Sequence, residues 1–155
     1  MHLNRLSLTN FRTFSRLDLD IPREILLLVG GNAQGKTSLL EAIYFLSTFT
    51  SFHASSDRQL INFTLPENTL TVGRIVGEFS RQDGDHRLEV RLIREPNGLN
   101  GSTRFRKEVL LDGVKRKINQ VVGQFNAVIF LPQMARIIEE GPSERRRYLD
   151  MIISQ

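Results

Sequence analysis

The sequence contains no cysteine among its 155 residues. A disulfide framework and a thiolate metal site are therefore excluded, and we predict a reducing compartment, the cytoplasm. The sequence also lacks an apolar run long enough to cross a bilayer, and its polar, charged start, MHLNRLSLTNFR, lacks the apolar stretch of a signal peptide. We accordingly expect no membrane partner.

Several kinds of catalytic group are missing as well. The three histidines, His2, His53 and His86, are scattered without the spacing of zinc ligands. No serine nucleophile elbow, catalytic cysteine or catalytic carboxylate pair is found. The sequence thus gives no support for a zinc site, a histidine base or a covalent nucleophile.

The composition is that of one globular domain. Apolar residues make up 40% of the chain, which is enough for a core of ordinary size. The formal net charge of +4 suits an anionic partner, although composition alone does not separate nucleic acid from acidic protein.

One motif stands out in the stretch LVGGNAQGKTSLLE, where Gly30 to Thr37 fits G-x-x-x-x-G-K-[ST]. The pattern is short, so its context decides its meaning. The apolar run at residues 25–29 predicts a strand buried on both faces. Apolar residues at helical spacing follow the motif and predict an amphipathic helix: Leu39, Leu40, Ile43, Tyr44 and Leu46. A glycine loop between a buried strand and a helix is the setting that a phosphate-binding P-loop requires.

Each residue type in the loop suits phosphate binding. Glycines let backbone N–H groups approach an anion, and the helix start adds a positive dipole end. Lys36 supplies a charge for the outer phosphates, and the Thr37 hydroxyl can ligate Mg²⁺. The alternative is a glycine turn with a solvated lysine. The predicted phosphate-binding residues are Gly30, Gly31, Asn32, Ala33, Gln34, Gly35, Lys36, Thr37 and Ser38.

Alternating apolar residues predict strands on both sides of the P-loop helix. Two strands near the start are joined by a turn at residues 11–15, and Asp112-Gly113 predicts a hairpin turn. A last short buried strand is predicted at residues 128–131, and Ser143 is predicted to cap a final helix. A β-meander is expected from the strands at residues 69–79, 86–94 and 103–111.

Together these segments resemble the N-terminal part of the RecF family, bacterial recombination and repair ATPases related to SMC proteins and ABC-type ATPase heads. The matching segments are LxLxNFRxF, GGNAQGKTSLLEAIYFL, SSDRQLI, VIFLPQ and GPSERRRYLD, and they cover nearly the whole chain. The chain departs from the family at two places. Thr50 and His53 stand where family members typically have arginines, and Leu131 to Met134 stand where they usually have S-P-E-D.

The resemblance implies an α/β P-loop NTPase fold, with residues 1–155 forming the sheet-rich first lobe of an ABC-type head and the start of its helical lobe. It also implies ATP and Mg²⁺ as cofactors, DNA junctions or gaps as a partner, an ATP-dependent homodimer of the full-length protein, and recombination mediator proteins as further partners. The signature, Walker B and switch-histidine motifs of such heads are absent from the sequence. We therefore expect the chain alone to be inactive as an ATPase.

The resemblance also assigns roles to two further residues. Arg12, in the NFR motif, would contact phosphate oxygens, and its alternative is a solvated turn arginine. Gln133 follows Leu131-Pro132 at the Q-loop position, as a metal ligand near the attacking water, and its alternative is a surface glutamine. Asp112, at the end of EVLLDG, imitates a Walker B acid, but the following glycine favours a hairpin turn instead.

Two basic clusters fit either DNA backbone contacts or ordinary solvated faces: Arg145 to Arg147, and Lys115 to Lys117. Three functions remain as alternatives to a DNA-repair ATPase: a small-molecule P-loop kinase, a divergent SMC-like paralogue, and a structural protein with a vestigial loop. A kinase usually carries an arginine-bearing lid after the P-loop, where this chain instead has the predicted β-meander.

Overall fold

A computed structural model describes residues 1–23, 25–97, 102–131, 141–143 and 146. Six strands and the helix that follows the P-loop make up most of the described part. The strands are β1 (His2–Phe11), β2 (Phe14–Asp20), β3 (Thr71–Arg81), β4 (Gly84–Asn97), β5 (Ser102–Leu111) and β6 (Val114–Arg116). The helix is α1 (Lys36–Thr48), and short 3-10 turns lie at Asp57–Leu60 and Ile118–Gln120.

The six strands form one sheet in the order β2-β1-β3-β4-β5-β6, and every neighbouring pair is antiparallel. The predicted meander is confirmed by β3, β4 and β5, which follow one another in sequence and in space. The predicted turn at Asp112-Gly113 is also confirmed, because both residues have positive φ, 51° and 80°, between β5 and β6. Positive φ at both central residues is what the common two-residue hairpin turn requires.

The core lies between one face of the sheet and α1. At Gly77 of β3, an added Cβ would lie 2.8 Å from Cδ1 of Leu46, so the missing side chain lets the helix approach the sheet closely. The helix and strands together bury Leu6, Leu8, Phe11, Phe45, Leu46, Phe49, Ile75, Phe79, Leu88, Val90 and Leu92. This packing fixes the start of α1, and with it the P-loop, against the β1–β2 hairpin.

The other face of the sheet carries charged pairs across neighbouring strands. Glu89 on β4 is 6% exposed and accepts hydrogen bonds from Arg74 and Arg91. Burial by itself raises the pKa of Glu89, but these two hydrogen bonds outweigh it and leave the pKa below its ordinary value. The burial of Glu89 on this face is therefore compensated by its two arginine partners.

Two predicted strands are wrong. Residues 25–29 and 128–131 form no strand in the described chain, and Ile25, Leu27 and Val29 are each at least 80% exposed. Phe130 is similarly exposed at 79%. A buried strand needs neighbours that satisfy its backbone N–H and C=O groups, and none of the described strands pairs with either segment.

The final helix begins differently from the prediction. Gly141 is not helical, whereas Pro142, Ser143 and Arg146 are. Ser143 thus lies inside the first turn instead of capping it, and Pro142 takes the first helical position, where its missing N–H costs nothing. The rest of this segment lies outside the described residues. In the described part of the chain, no helix is both long enough and apolar enough to span a bilayer.

Candidate nucleotide-binding site

The P-loop ends at Gly35, which is the N-terminal cap of α1 and has a φ of 87°. A Cβ at this position would lie 2.6 Å from Cζ of Phe14, so both the backbone conformation and the close approach require glycine. The first turn of α1 has no side-chain cap and no acidic residue. Its backbone N–H groups therefore face no competing side-chain acceptor, which suits an anion.

Lys36 folds back over the loop that precedes it. Its Nζ donates to the carbonyl oxygens of Gly30, at 2.8 Å, and Gly31, at 2.6 Å. An ammonium group has a further N–H beyond these two bonds, and the side chain is only partly buried. The loop carbonyls thus hold the ammonium at the mouth of the P-loop, and one of its N–H groups remains available for a ligand.

An open cavity of about 450 Å³ lies beside the start of α1. This volume falls within the range of small-molecule binding sites. Predicted site residues Arg12, Thr37 and Ser38 all contribute to its wall. The complete lining is Arg12, Thr13, Thr37, Ser38, Glu41, His53 and Phe63.

Arg12 and Glu41 form a two-bond ion pair on the cavity wall, which we call the Arg12–Glu41 pair. Nε of Arg12 donates to Oε2 at 2.8 Å, and Nη2 donates to Oε1 at 2.7 Å. Glu41 is 2% exposed, and its Oε1 also accepts from the hydroxyl of Ser51. Arg12 is consequently not the solvated turn arginine that the sequence left open, because its side chain is only 23% exposed.

The backbone of Arg12 is equally constrained. It has a φ of 51°, its N–H donates to the carbonyl of Leu60 at 2.8 Å, and its Nη1 donates to the carbonyl of Gln59 at 3.1 Å. Its neighbour Asn10 donates from Nδ2 to the carbonyl of Val72 and has a structural role. The β1–β2 turn, the segment around residue 60 and α1 are therefore joined at this one arginine.

Phe63 is a cavity residue that the sequence did not reveal. Its ring is 77% exposed although it lines the cavity, and the preceding residue, Asn62, joins its loop to β1 by a hydrogen bond. The buried Asn62 accepts from both the N–H and the hydroxyl of Thr64, and its own N–H donates to the carbonyl of Asn10. The sequence does not reveal Glu41 either, because its contact with Arg12 spans 29 residues and no local pattern signals it.

The remaining predicted residues are spread more widely. Asn32, Ala33 and Gln34 lie exposed in the P-loop. Lys115 donates to Glu108 at 2.7 Å, and Arg146 is exposed. Gln133 and two of the clustered arginines, Arg145 and Arg147, lie outside the described residues.

Asp112 belongs to the β5–β6 turn and not to the cavity wall. It accepts from the N–H of Arg87 at 2.8 Å and pairs with Nδ1 of His86 at 2.9 Å. The hydrogen bond with His86 is the main cause that holds the pKa of Asp112 below its ordinary value. The hairpin interpretation of EVLLDG is therefore correct.

A glycine loop at the start of a helix, packed on a sheet beside a cavity, is the arrangement of a nucleotide-binding domain. The chain belongs to the AAA ATPase domain family, whose model matches residues 1–129. The predicted class, an α/β P-loop ATPase head, is thereby confirmed.

Within that class the chain is similar to RecF. It is 41% identical over 160 residues to the DNA replication and repair protein RecF of Roseiflexus castenholzii and 36% identical over 155 residues to that of Clostridioides difficile. All of this chain is covered, but only 40% and 38% of those relatives. A solved structure of the recombination mediator protein RecF with ATP in the RecFOR pathway has a TM-score of 0.79 and 34% identity, covering 99% of this chain and 38% of that one. The predicted resemblance to RecF is confirmed.

Proposed function

We propose that this chain binds ATP through its P-loop and the adjoining cavity, as the nucleotide-binding part of a DNA repair and replication ATPase. The observation that supports the proposal is the cavity beside the start of α1, whose wall contains Arg12 together with two residues of the P-loop helix. Lys36 is held at the mouth of the loop by Gly30 and Gly31, and Arg12 lines the cavity together with Thr37 and Ser38. Two cations beside uncapped helix N–H groups suit a polyphosphate.

Each group has a separate role in this proposal. The N–H groups of residues 31–35 surround the inner phosphates, and Lys36 contacts the outer ones. Arg12 has N–H groups on Nη1 and Nη2 beyond those that its protein partners take, and these face the phosphates from the cavity wall. The exposed ring of Phe63 offers an apolar surface for the base.

The residues also fit Mg²⁺. This cation is usually bound by one or two protein oxygens together with substrate phosphates. The Thr37 hydroxyl is exposed on the cavity wall and supplies one such oxygen. Glu41 is not a candidate ligand because both of its oxygens accept hydrogen bonds from Arg12 and Ser51. We keep Gln133 as the second proposed ligand on the resemblance alone.

Action on DNA is the wider part of the proposal. The relatives are named for DNA replication and repair, and the solved structure is that of a recombination mediator. We infer that the whole protein acts in the cytoplasm on DNA junctions or gaps, dimerises with ATP and works with recombination mediators. The net charge of +4 is compatible with this partner. The kinase alternative has less support, since a β-meander follows the P-loop and the relatives are repair proteins.

The decisive experiment compares MgATP binding by the chain and by its Lys36→Ala variant, using isothermal titration calorimetry. Removing the ammonium should weaken binding at least tenfold, on the order of a lost charge-assisted hydrogen bond. A thermal melt checks that the variant is folded. Equal affinity in the two folded proteins would rule out the assignment of the P-loop.

A further inference from the structure

The buried carboxylate of Glu41 has a position that the P-loop motif does not explain. It follows Thr37 by one helical turn, so it lies on the same face of α1 as the hydroxyl that we assign to Mg²⁺. It lines the cavity that we assign to the nucleotide. A carboxylate beside a polyphosphate opposes binding by simple charge repulsion, so its presence needs another reason.

The contacts of Glu41 supply that reason. Both oxygens are occupied by Arg12, and Ser51 adds a third donor. The Ser51 hydroxyl is itself held, because it accepts from the N–H groups of His53 and Ala54. The carboxylate is therefore fixed by its own position on α1 and by Ser51 in the segment that follows the helix. In this fixed position it aligns the guanidinium of Arg12.

The guanidinium has no other strong anchor at its far end. Apart from Glu41, the described residues offer it one bond, from Nη1 to the carbonyl of Gln59 at 3.1 Å. A bidentate carboxylate fixes the plane of a guanidinium as well as its position. The unused N–H groups of Arg12 consequently point in a direction that Glu41 determines.

We propose that Glu41 is a positioning residue for nucleotide binding: it holds Arg12 in the orientation in which Arg12 meets the phosphates. The inference rests on the proposed function. In this proposal Glu41 increases nucleotide affinity by aligning Arg12. This gain exceeds the loss of affinity that its negative charge causes near the phosphates. We also expect Glu41 to act only through Arg12.

The sign of the effect separates alignment from plain electrostatics. Glu41→Gln removes a negative charge and cannot accept both N–H groups of Arg12 equally well. Alignment predicts that MgATP binds this variant about tenfold more weakly, whereas charge repulsion alone predicts tighter binding. Calorimetry with MgATP as the probe measures the difference.

A double-mutant cycle tests whether Glu41 acts through Arg12. In the Arg12→Ala background, Glu41→Gln should change MgATP affinity less than twofold. A further tenfold loss in that background, or unchanged or tighter binding by the single variant, would overturn the inference. If Glu41→Gln does not fold, Glu41→Asp keeps the charge, shortens the reach to Arg12 and is judged by the same two criteria.

Two controls complete the design. Glu89→Gln breaks another buried carboxylate pair, with Arg74 and Arg91 on the far face of the sheet, and should lower thermal stability with MgATP affinity within twofold of the original. Lys36→Ala separates the two proposals. If Lys36→Ala weakens binding and Glu41→Gln does not, only the role of Glu41 fails. If the unmodified chain does not bind MgATP, the proposed function fails and the role of Glu41 with it.

Discussion

Lys107 on β5 and Asp57 in the first 3-10 turn form an ion pair with an Nζ–Oδ2 distance of 2.7 Å. The same Nζ donates to the carbonyl of Phe49, at the C-terminal end of α1, also at 2.7 Å. It lies 5.2 Å from the ring centre of Phe45. One ammonium thus joins the sheet to the end of the helix whose start carries the P-loop.

Replacing Lys107 by Met should destabilise the fold. The change keeps the apolar stem but leaves the carbonyl of Phe49 and the partly buried Asp57 without their donor. We expect a loss of about 2 kcal/mol in the free energy of unfolding, measured by urea denaturation.

Lys115→Met is the matched control, because Lys115 also donates to a carboxylate at 2.7 Å but is 66% exposed. Its effect should stay below about 0.5 kcal/mol. Similar losses in both variants would contradict the anchoring role of Lys107.

His86 should give the β3–β4 and β5–β6 turns a pH-dependent stability. Its ring contacts Asp112 at 2.9 Å and Asp83 at 3.3 Å, and the hydrogen bond with Asp112 is the main cause that raises the pKa of His86 above its ordinary 6.5. A raised pKa means that the folded state favours the charged ring. The added stability is complete below pH 6.5 and is lost as the pH rises through the raised value.

Asp112 sets the lower pH limit of this stabilising contact. The pKa of Asp112 is below its ordinary 3.8, so its contribution is present above that value and is lost as the pH falls through the lowered pKa. An NMR titration of His86 measures the shift, and Asp112→Asn should lower the pKa of His86. A pKa that stays the same in this variant would show that the contact does not form in solution.

DNA binding should depend on the two ends of the Lys115 to Lys117 cluster unequally. Lys117 is the N-terminal cap of the second 3-10 turn and is exposed, whereas Lys115 is paired with Glu108, which competes with a phosphate. If the hairpin contacts duplex backbone, Lys117→Gln should reduce the log-log salt slope of binding by about 0.9. Lys115→Gln should reduce it less. Slopes equal to the original in both variants would show that the cluster is a solvated face that does not contact DNA.

The chain by itself should bind ATP without sustained hydrolysis. Phosphoryl transfer to water needs groups that hold Mg²⁺ and position the water. The acid that imitates a Walker B residue, Asp112, instead pairs with His86 and accepts from the N–H of Arg87. A phosphate-release assay should show no turnover above background. Turnover that Lys36→Ala abolishes would contradict this expectation.

Features that depend on local spacing could be predicted from the sequence. The P-loop motif, the helix from Lys36 to Thr48 and the Asp112-Gly113 turn are each specified within a few residues, by glycine conformational freedom or by periodicity. The resemblance to RecF also rested on contiguous motifs, and it predicted the family correctly.

The tertiary structure alone decided what lies beside the P-loop. Arg12, Glu41 and Phe63 come from three separate segments and meet because the antiparallel sheet brings the β1–β2 turn to the start of α1. Pairing partners decide strands in the same way: residues 25–29 have the composition of a buried strand, yet they form none because no described strand bonds to them. Composition favours a conformation, but long-range contacts select it, since backbone groups and buried charges need partners that no local pattern reveals.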